Sequence, residues 1–208
     1  YRSDRLGRES PYMLWSLVRA GILSSLIAMV AERVLSALLG AAVSDYGLYQ
    51  VLLYFVVVAF SEEGAKYFLL HRTSWNSPEF NCQFDGVVYA MFVSLGFALW
   101  ENIDYVVMFG FQAALIRAIT AVPGHAAFGV FMGVWYGLAR RVENWGDPVK
   151  AKKCRRTALL LPTALHGLYD LIASLENWPE WVFIVFILGL FITSFTMINK
   201  LSRQDRYI

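Results

Sequence analysis

Apolar stretches of about 20 residues recur along the whole chain, the length an α-helix needs to cross roughly 30 Å of hydrocarbon. Nothing in the sequence constrains the fold more. A backbone in lipid must satisfy its own hydrogen bonds, and only helices and closed barrels do so. The alternating ten-residue segments of a barrel are missing, so the chain reads as an all-α, polytopic membrane helical bundle. Six spans can be drawn: Pro11–Leu39, Tyr49–Leu70, Phe84–Phe109, Ala113–Ala139, Thr157–Leu175 and Trp181–Asn199. Arg19, Glu32 and Arg33 interrupt the first. With 58% hydrophobic and 16% charged residues, the chain is more apolar than a soluble domain, whose share is about 45–50%. No repeat or long linker divides it, and residues 1–208 read as a single integral-membrane domain.

Lys and Arg gather on alternate connections. The stretch 140–156, RRVENWGDPVKAKKCRR, is strongly basic, and so are the lead-in 1–10 and the tail KLSRQDRYI, whereas GAAVSDYGL, GFQ and ENWPE contain neither residue. By the positive-inside rule the basic connections face the cytoplasm, which puts both ends inside. The lead-in has no apolar core and is neither a signal peptide nor a span. A net charge of +2 implies no nucleic-acid partner; membrane lipid is the expected surrounding. Cys82 and Cys154 lack any C-x-x-C spacing and are expected to be free thiols in cytoplasmic loops.

Against this background, Glu62, Glu63, Lys66, Glu101, Asp104, His125, His166 and Asp170 all fall inside spans. An ionisable group there costs about 2.5–3.5 kcal/mol on insertion scales and marks function by default. His125 heads Gly129, Gly133 and Gly137, and Glu101 follows Gly86, Ala90, Ser94 and Ala98. Such small-residue faces are where membrane helices approach closely, so both side chains turn inward. His166 and Asp170, at i and i+4, share a face on which the carboxylate can orient the imidazole. Counting rise per residue puts the group in one layer of the cytoplasmic half of the bilayer. Pro123 precedes His125 and Pro162 precedes His166; each frees a carbonyl, at Ile119 and Ala158, which suggests kinks around a wet pocket.

Each residue alone has a plainer reading. Glu62 and Lys66 can neutralise one another, a single histidine can be an interhelical hydrogen bond, Asp85 suits a helix cap, and Asp104 lies near a surface. Their convergence from four spans is what those readings leave unexplained. The cluster suits hydrolysis by an activated water, with an ion or proton relay as the rival.

Four segments carry a resemblance that covers nearly the whole chain. EEGAK is similar to an E-E-x-x-K motif, and FDGVVYAMFVSLGFALWENIDY to D-G-x-V-Y followed by F-x-x-x-E-N. PGHAAFGVFMGVWYGLAR places a His before a glycine-striped helix, and LLPTALHGLYD is similar to H-G-x-Y-D. Together they resemble the PrsW family of bacterial intramembrane proteases, relatives of the CAAX prenyl endopeptidase group. The resemblance implies a site of Glu62, Glu63, Glu101, His125 and His166, supported by Lys66 and Asp170, in which a glutamate activates water. Glu62 is favoured as base by analogy, with Glu63 beside it. Two adjacent helical residues point about 100° apart, so one faces the pocket and the other meets Lys66 or a neighbouring helix. Zinc held among Glu63, Glu101, His125 and His166 is expected; the same residues can also position water without metal. The implied substrate is a single-span membrane protein resembling an anti-sigma factor, cut in a site-1 step of a signalling cascade. The implied location is the bacterial cytoplasmic (inner) membrane, with one further span ahead of Tyr1. In the prenyl endopeptidase branch His replaces Glu101 and Asn commonly replaces Asp170, which leaves a CAAX-type activity as the weaker alternative.

Overall fold

A computed structural model describes residues 9–175 and 178–208; most of the lead-in, and Glu176 and Asn177 of the ENWPE connection, lie outside them. All regular structure among the described residues is helical, apart from one isolated bridge between Cys82 and Tyr207.

Helix α1, Pro11–Ala42, starts where Ser10 accepts from the Met13 amide and Pro11 occupies the first turn, both standard N-terminal devices. The second crossing, Tyr46–Ser74, is α2 (Tyr46–Leu52), a π-helical segment (Leu53–Ala59) and α3 (Phe60–Ser74) joined end to end. Helix α4 is Asp85–Phe109.

The fourth expected span is two helices. The short α5, Phe111–Ile119, and α6, Ala121–Asn144, are broken at Thr120. Pro123 supplies the reason, because its ring opposes the carbonyl four residues back and it has no amide hydrogen to donate. Helix α7, Pro148–Ser174, begins well before the expected Thr157. The stretch 140–156, expected as a loop, is therefore helical on both sides of the turn at residues 145–147. Gly146 turns the chain at φ 83° and Asp147 caps α7 through the Lys150 amide, while Lys and Arg are good helix formers. Helix α8, Glu180–Arg203, closes the chain.

Five helical stretches are long and apolar enough to cross a membrane. Helix α7, drawn as another crossing, is 27 residues long, but its first turns carry the basic residues and lower its mean hydropathy.

Helix α4 packs between α1 and α6, α6 against α7, and α7 against the π segment, which returns to α1; α8 lies outside on α6 and α7. The small-residue faces, expected as places of close approach, meet each other. A Cβ on Gly86 would lie 2.6–2.8 Å from backbone atoms of Gly133 and Gly137, and one on Gly129 would lie 2.7 Å from the Ser94 hydroxyl. Side chains of α8 such as Ile184, Leu188, Ile192 and Phe195 are exposed, as a lipid-facing surface requires.

The two ends of the bundle differ. At one, the Ser10 amide donates to Glu79 at 2.8 Å, the Gln83 amide to the Arg206 carbonyl at 3.0 Å, and Arg141 to Gln83 at 2.9 Å. Both described chain ends thus meet the 75–84 connection on one side, over a core containing Trp75, Phe80, Tyr89 and Tyr136. At the other, the helices surround a cavity of about 860 Å³.

Candidate active site

Helix α3 brings three ionisable side chains to one place. Lys66 donates to Glu63 at 2.7 Å and to Glu62 at 3.3 Å, the i, i+3 and i, i+4 partners that helical spacing puts on its face. Its third contact is Nδ1 of His125, from α6, at 3.0 Å. The aromatic face of Phe97 covers the ammonium at 3.9 Å. A primary ammonium has three donors and no acceptor, so every N–H of Lys66 is used.

Helix α7 adds His166. Its Nδ1 lies 3.0 Å from Glu63 Oε1, and its Nε2 lies 3.4 Å from Asp170 Oδ2 and 3.9 Å from Glu62 Oε2. Phe128 stacks on the ring at 4.8 Å. Helix α4 adds Glu101, whose Oε2 meets His125 Nε2 at 2.9 Å and Arg117 at 2.7 Å. Relative exposures of Glu62, Glu63, Lys66, His125 and His166 are 5%, 0%, 0%, 3% and 4%. Charges this deeply buried persist only when paired and hydrogen-bonded, and here they are.

Glu62, Glu101, His125, His166 and Asp170 all line the cavity. Of the acid pair it is Glu62 that does so; Glu63 lies behind it, tied to Lys66 and His166. One ligand atom each from Glu62, Glu63, His125 and His166 lies within 4.8 Å of the others, a donor set of two imidazoles and two carboxylates that suits a divalent metal. Oε2 of Glu63 is buried with no hydrogen-bond partner among the described residues, a lone pair facing no donor. Glu101, expected among the ligands, stands outside this group, with its Oε2 on Arg117 and His125.

Several expectations change. Three members sit nearer the cavity end than the end with the basic connections: His125 is four residues into α6, and Glu101 and His166 are each eight residues from the close of their helices, roughly 12 Å at helical rise, whereas Glu62 is 12 residues from the close of α3 and 16 from the start of its crossing at Tyr46. Helices α6 and α7 run further toward the basic turn than the apolar pattern suggests, which moves their midpoints. Pro162 is inside α7 as expected, but Pro123 is in the first turn of α6, where a missing amide hydrogen breaks no helical bond. Asp104 lines the cavity. Asp85, expected as a helix cap, is instead the first residue of α4, behind Phe84 at the cap position, and accepts from the amides of Asn81 and Cys82 in the preceding connection. Cys82 and Cys154 are buried thiols not joined in a disulfide, Cys154 within α7 rather than a loop.

Glu32 of α1 and Arg117 of α5 also line the cavity, and neither was singled out from the sequence. The rule that flags ionisable groups inside spans applies to both. In the sequence Glu32 stands beside Arg33 as an interruption of the first span, and Arg117 falls inside an apolar pattern that runs on without a visible break.

Over residues 9–198 the sequence matches the profile of a family described as PrsW family intramembrane metalloprotease. It is similar to the protein named Protease PrsW from Halalkalibacterium halodurans, 35% identical over 73% of this chain and 69% of that protein. The Protease PrsW of Bacillus subtilis is 39% identical over 64% of this chain and 61% of its own. That of Clostridioides difficile is 27% identical over 99% and 86%. No solved structure matches the chain.

Proposed function

The chain belongs to the PrsW family of intramembrane metalloproteases, and on that premise we propose that Glu62 is the base of its endopeptidase reaction. Membership makes it an intramembrane protease in a multi-pass membrane protein, so the transport reading of the buried acids is set aside. One observation carries the assignment: of the acid pair, Glu62 lines the cavity together with His125 and His166, while Glu63 is held by Lys66 and His166.

Hydrolysis of an amide needs an attacking water, a donor to the developing oxyanion and a proton for the leaving nitrogen. Glu62 takes a proton from a cavity water as the oxygen adds to the carbonyl carbon, then returns it to the nitrogen as the C–N bond breaks. His166 has its Nδ1 engaged by Glu63, so Nε2 is the atom it presents on the Glu62 side, where it orients the water or steadies the oxyanion. Glu63, His125 and His166 would hold a zinc ion with a fourth position left for water on the Glu62 side; bound there, the ion would polarise a carbonyl and acidify that water. Lys66 supplies the positive charge these groups share in the structure described here.

The substrate is a single-span membrane protein of the anti-sigma-factor type, cut in the first step of regulated proteolysis in a bacterial cytoplasmic membrane. Its helix must unwind locally to offer an extended peptide to the carboxylates. The test is cleavage of a single-span fluorescent reporter in liposomes. Glu62→Gln is expected to lower kcat at least about 100-fold, the low end of what a general base contributes. Near-parental cleavage by this variant would overturn the assignment. Metal analysis of the same preparations, with zinc lost in His166→Ala, tests the ion.

A further inference from the structure

Arg117 lies in no motif discussed above, yet its guanidinium ends at the site. Helix α5 turns back from α4 at Gly110, which has φ 85°, and so brings Arg117 over the cavity. Nη2 of Arg117 is 2.7 Å from Glu101 Oε2, and the side chains of Arg117 and Glu101 are 21% and 22% exposed. The guanidinium lies 3.6 Å over the ring of Tyr105, one turn beyond Glu101 on α4. Tyr105 holds the guanidinium plane through a cation–π contact, and the flat fork of Arg presents its hydrogens to the carboxylate in a defined direction.

The consequence reaches His125 through donor and acceptor logic. The Lys66 ammonium can only donate, so Nδ1 of His125, 3.0 Å away, must be the accepting nitrogen. Nε2 then carries the hydrogen and donates to Glu101 Oε2 at 2.9 Å. That oxygen accepts from Arg117 as well, a charge-assisted bond that keeps Glu101 turned toward the ring. Without Arg117, a carboxylate bordering a cavity is free to rotate away, and the imidazole loses the acceptor that defines its orientation.

We propose that Arg117, acting through Glu101, fixes the ring orientation and tautomer of His125 and is a positioning residue of the proteolytic site. The inference rests on His125 belonging to that site.

The experiment uses the full chain, with reporter cleavage in liposomes and nitrogen NMR of labelled histidines in micelles. Arg117→Gln is expected to lower kcat about 10- to 100-fold, as loss of an outer partner commonly does, with KM changed less than about threefold. The His125 signals, reporting a single Nε2–H tautomer in the parent, become a mixture. Arg117→Lys keeps the charge without the fork and recovers part of both. Should Arg117→Gln fail to fold, Arg117→Lys and Tyr105→Leu make the same comparison, each lowering kcat with a shifted tautomer balance. A kcat within about twofold of the parent overturns the proposal. So does a rise in KM alone with the tautomer intact, which would make Arg117 a substrate contact. If His125→Ala still cleaves, the reading of the site itself fails; if His125→Ala is inactive while Arg117→Gln is active, only the positioning role fails.

Discussion

Adjacent acids in a membrane helix are two different residues once their neighbours are in place. Glu63 is fully buried and shares its Oε1 between Lys66 and His166; Glu62 makes a longer contact to Lys66, 3.3 Å, and borders the cavity. Breaking a buried ion pair by removing one partner typically costs about 3–5 kcal/mol, because the other charge is left uncompensated. Glu63→Gln is therefore expected to lower the thermal unfolding midpoint in detergent well below that of Glu62→Gln. Equal midpoints for the two variants would contradict the division of labour between a structural and a reactive acid. The sequence made both candidates legible, since an ionisable group inside a span is conspicuous. Helical spacing could not rank them, and only the resemblance favoured Glu62, because about 100° on a helical wheel becomes a direction only when the neighbouring helices are placed.

At the scale of elements, the small-residue pattern was readable in advance and the helix edges were not. Gly86, Gly129, Gly133 and Gly137 pointed to faces of close approach without naming their partners, and backbone atoms of α4 and α6 meet there. Gly133→Leu forces a side chain into the Gly86 and Val87 backbone. Overpacking costs about 1–3 kcal/mol where neighbours are side chains that can move, and backbone yields less. The variant is expected to lose both thermal stability and reporter cleavage, whereas Gly189→Leu on the exposed face of α8, where a Cβ meets nothing within 4 Å, is expected to retain both. Parental stability in Gly133→Leu would remove the close contact from the account. The extension of α7 back to Pro148 and the break at Thr120 escaped the hydropathy pattern for a common reason. Apolarity reports contact with lipid, while helix boundaries are set by caps, Pro and Gly, which act whatever the polarity of the turn.

For the whole molecule, the division into a packed end and a cavity end gives topology a direct test. Asn76 and Trp145 are exposed at the end where both described chain ends meet, and Tyr46 is exposed at the other. Cys154 is 4% exposed and Cys82 fully buried, and burial pushes the Cys154 thiol above its ordinary range, so both native thiols should stay silent toward a maleimide. A membrane-impermeant maleimide is expected to label Asn76→Cys and Trp145→Cys only from the cytoplasmic side of vesicles, and Tyr46→Cys only from the opposite side. Labelling of Asn76→Cys and Trp145→Cys from opposite sides would be incompatible with the fold.

Taken alone, the sequence determined that the chain is a helical membrane bundle, which helix faces approach closely, and which ionisable residues do not belong in lipid. These follow from local quantities, since hydropathy, residue size and charge act one residue at a time against a uniform solvent. Only the tertiary structure decided that Glu62 borders the cavity and Glu63 does not, that Glu101 lies between Arg117 and His125, and that Glu101, His125 and His166 lie toward the cavity ends of their helices. Those depend on angles and offsets between helices distant in the chain, where a shift of one turn exchanges one partner for another.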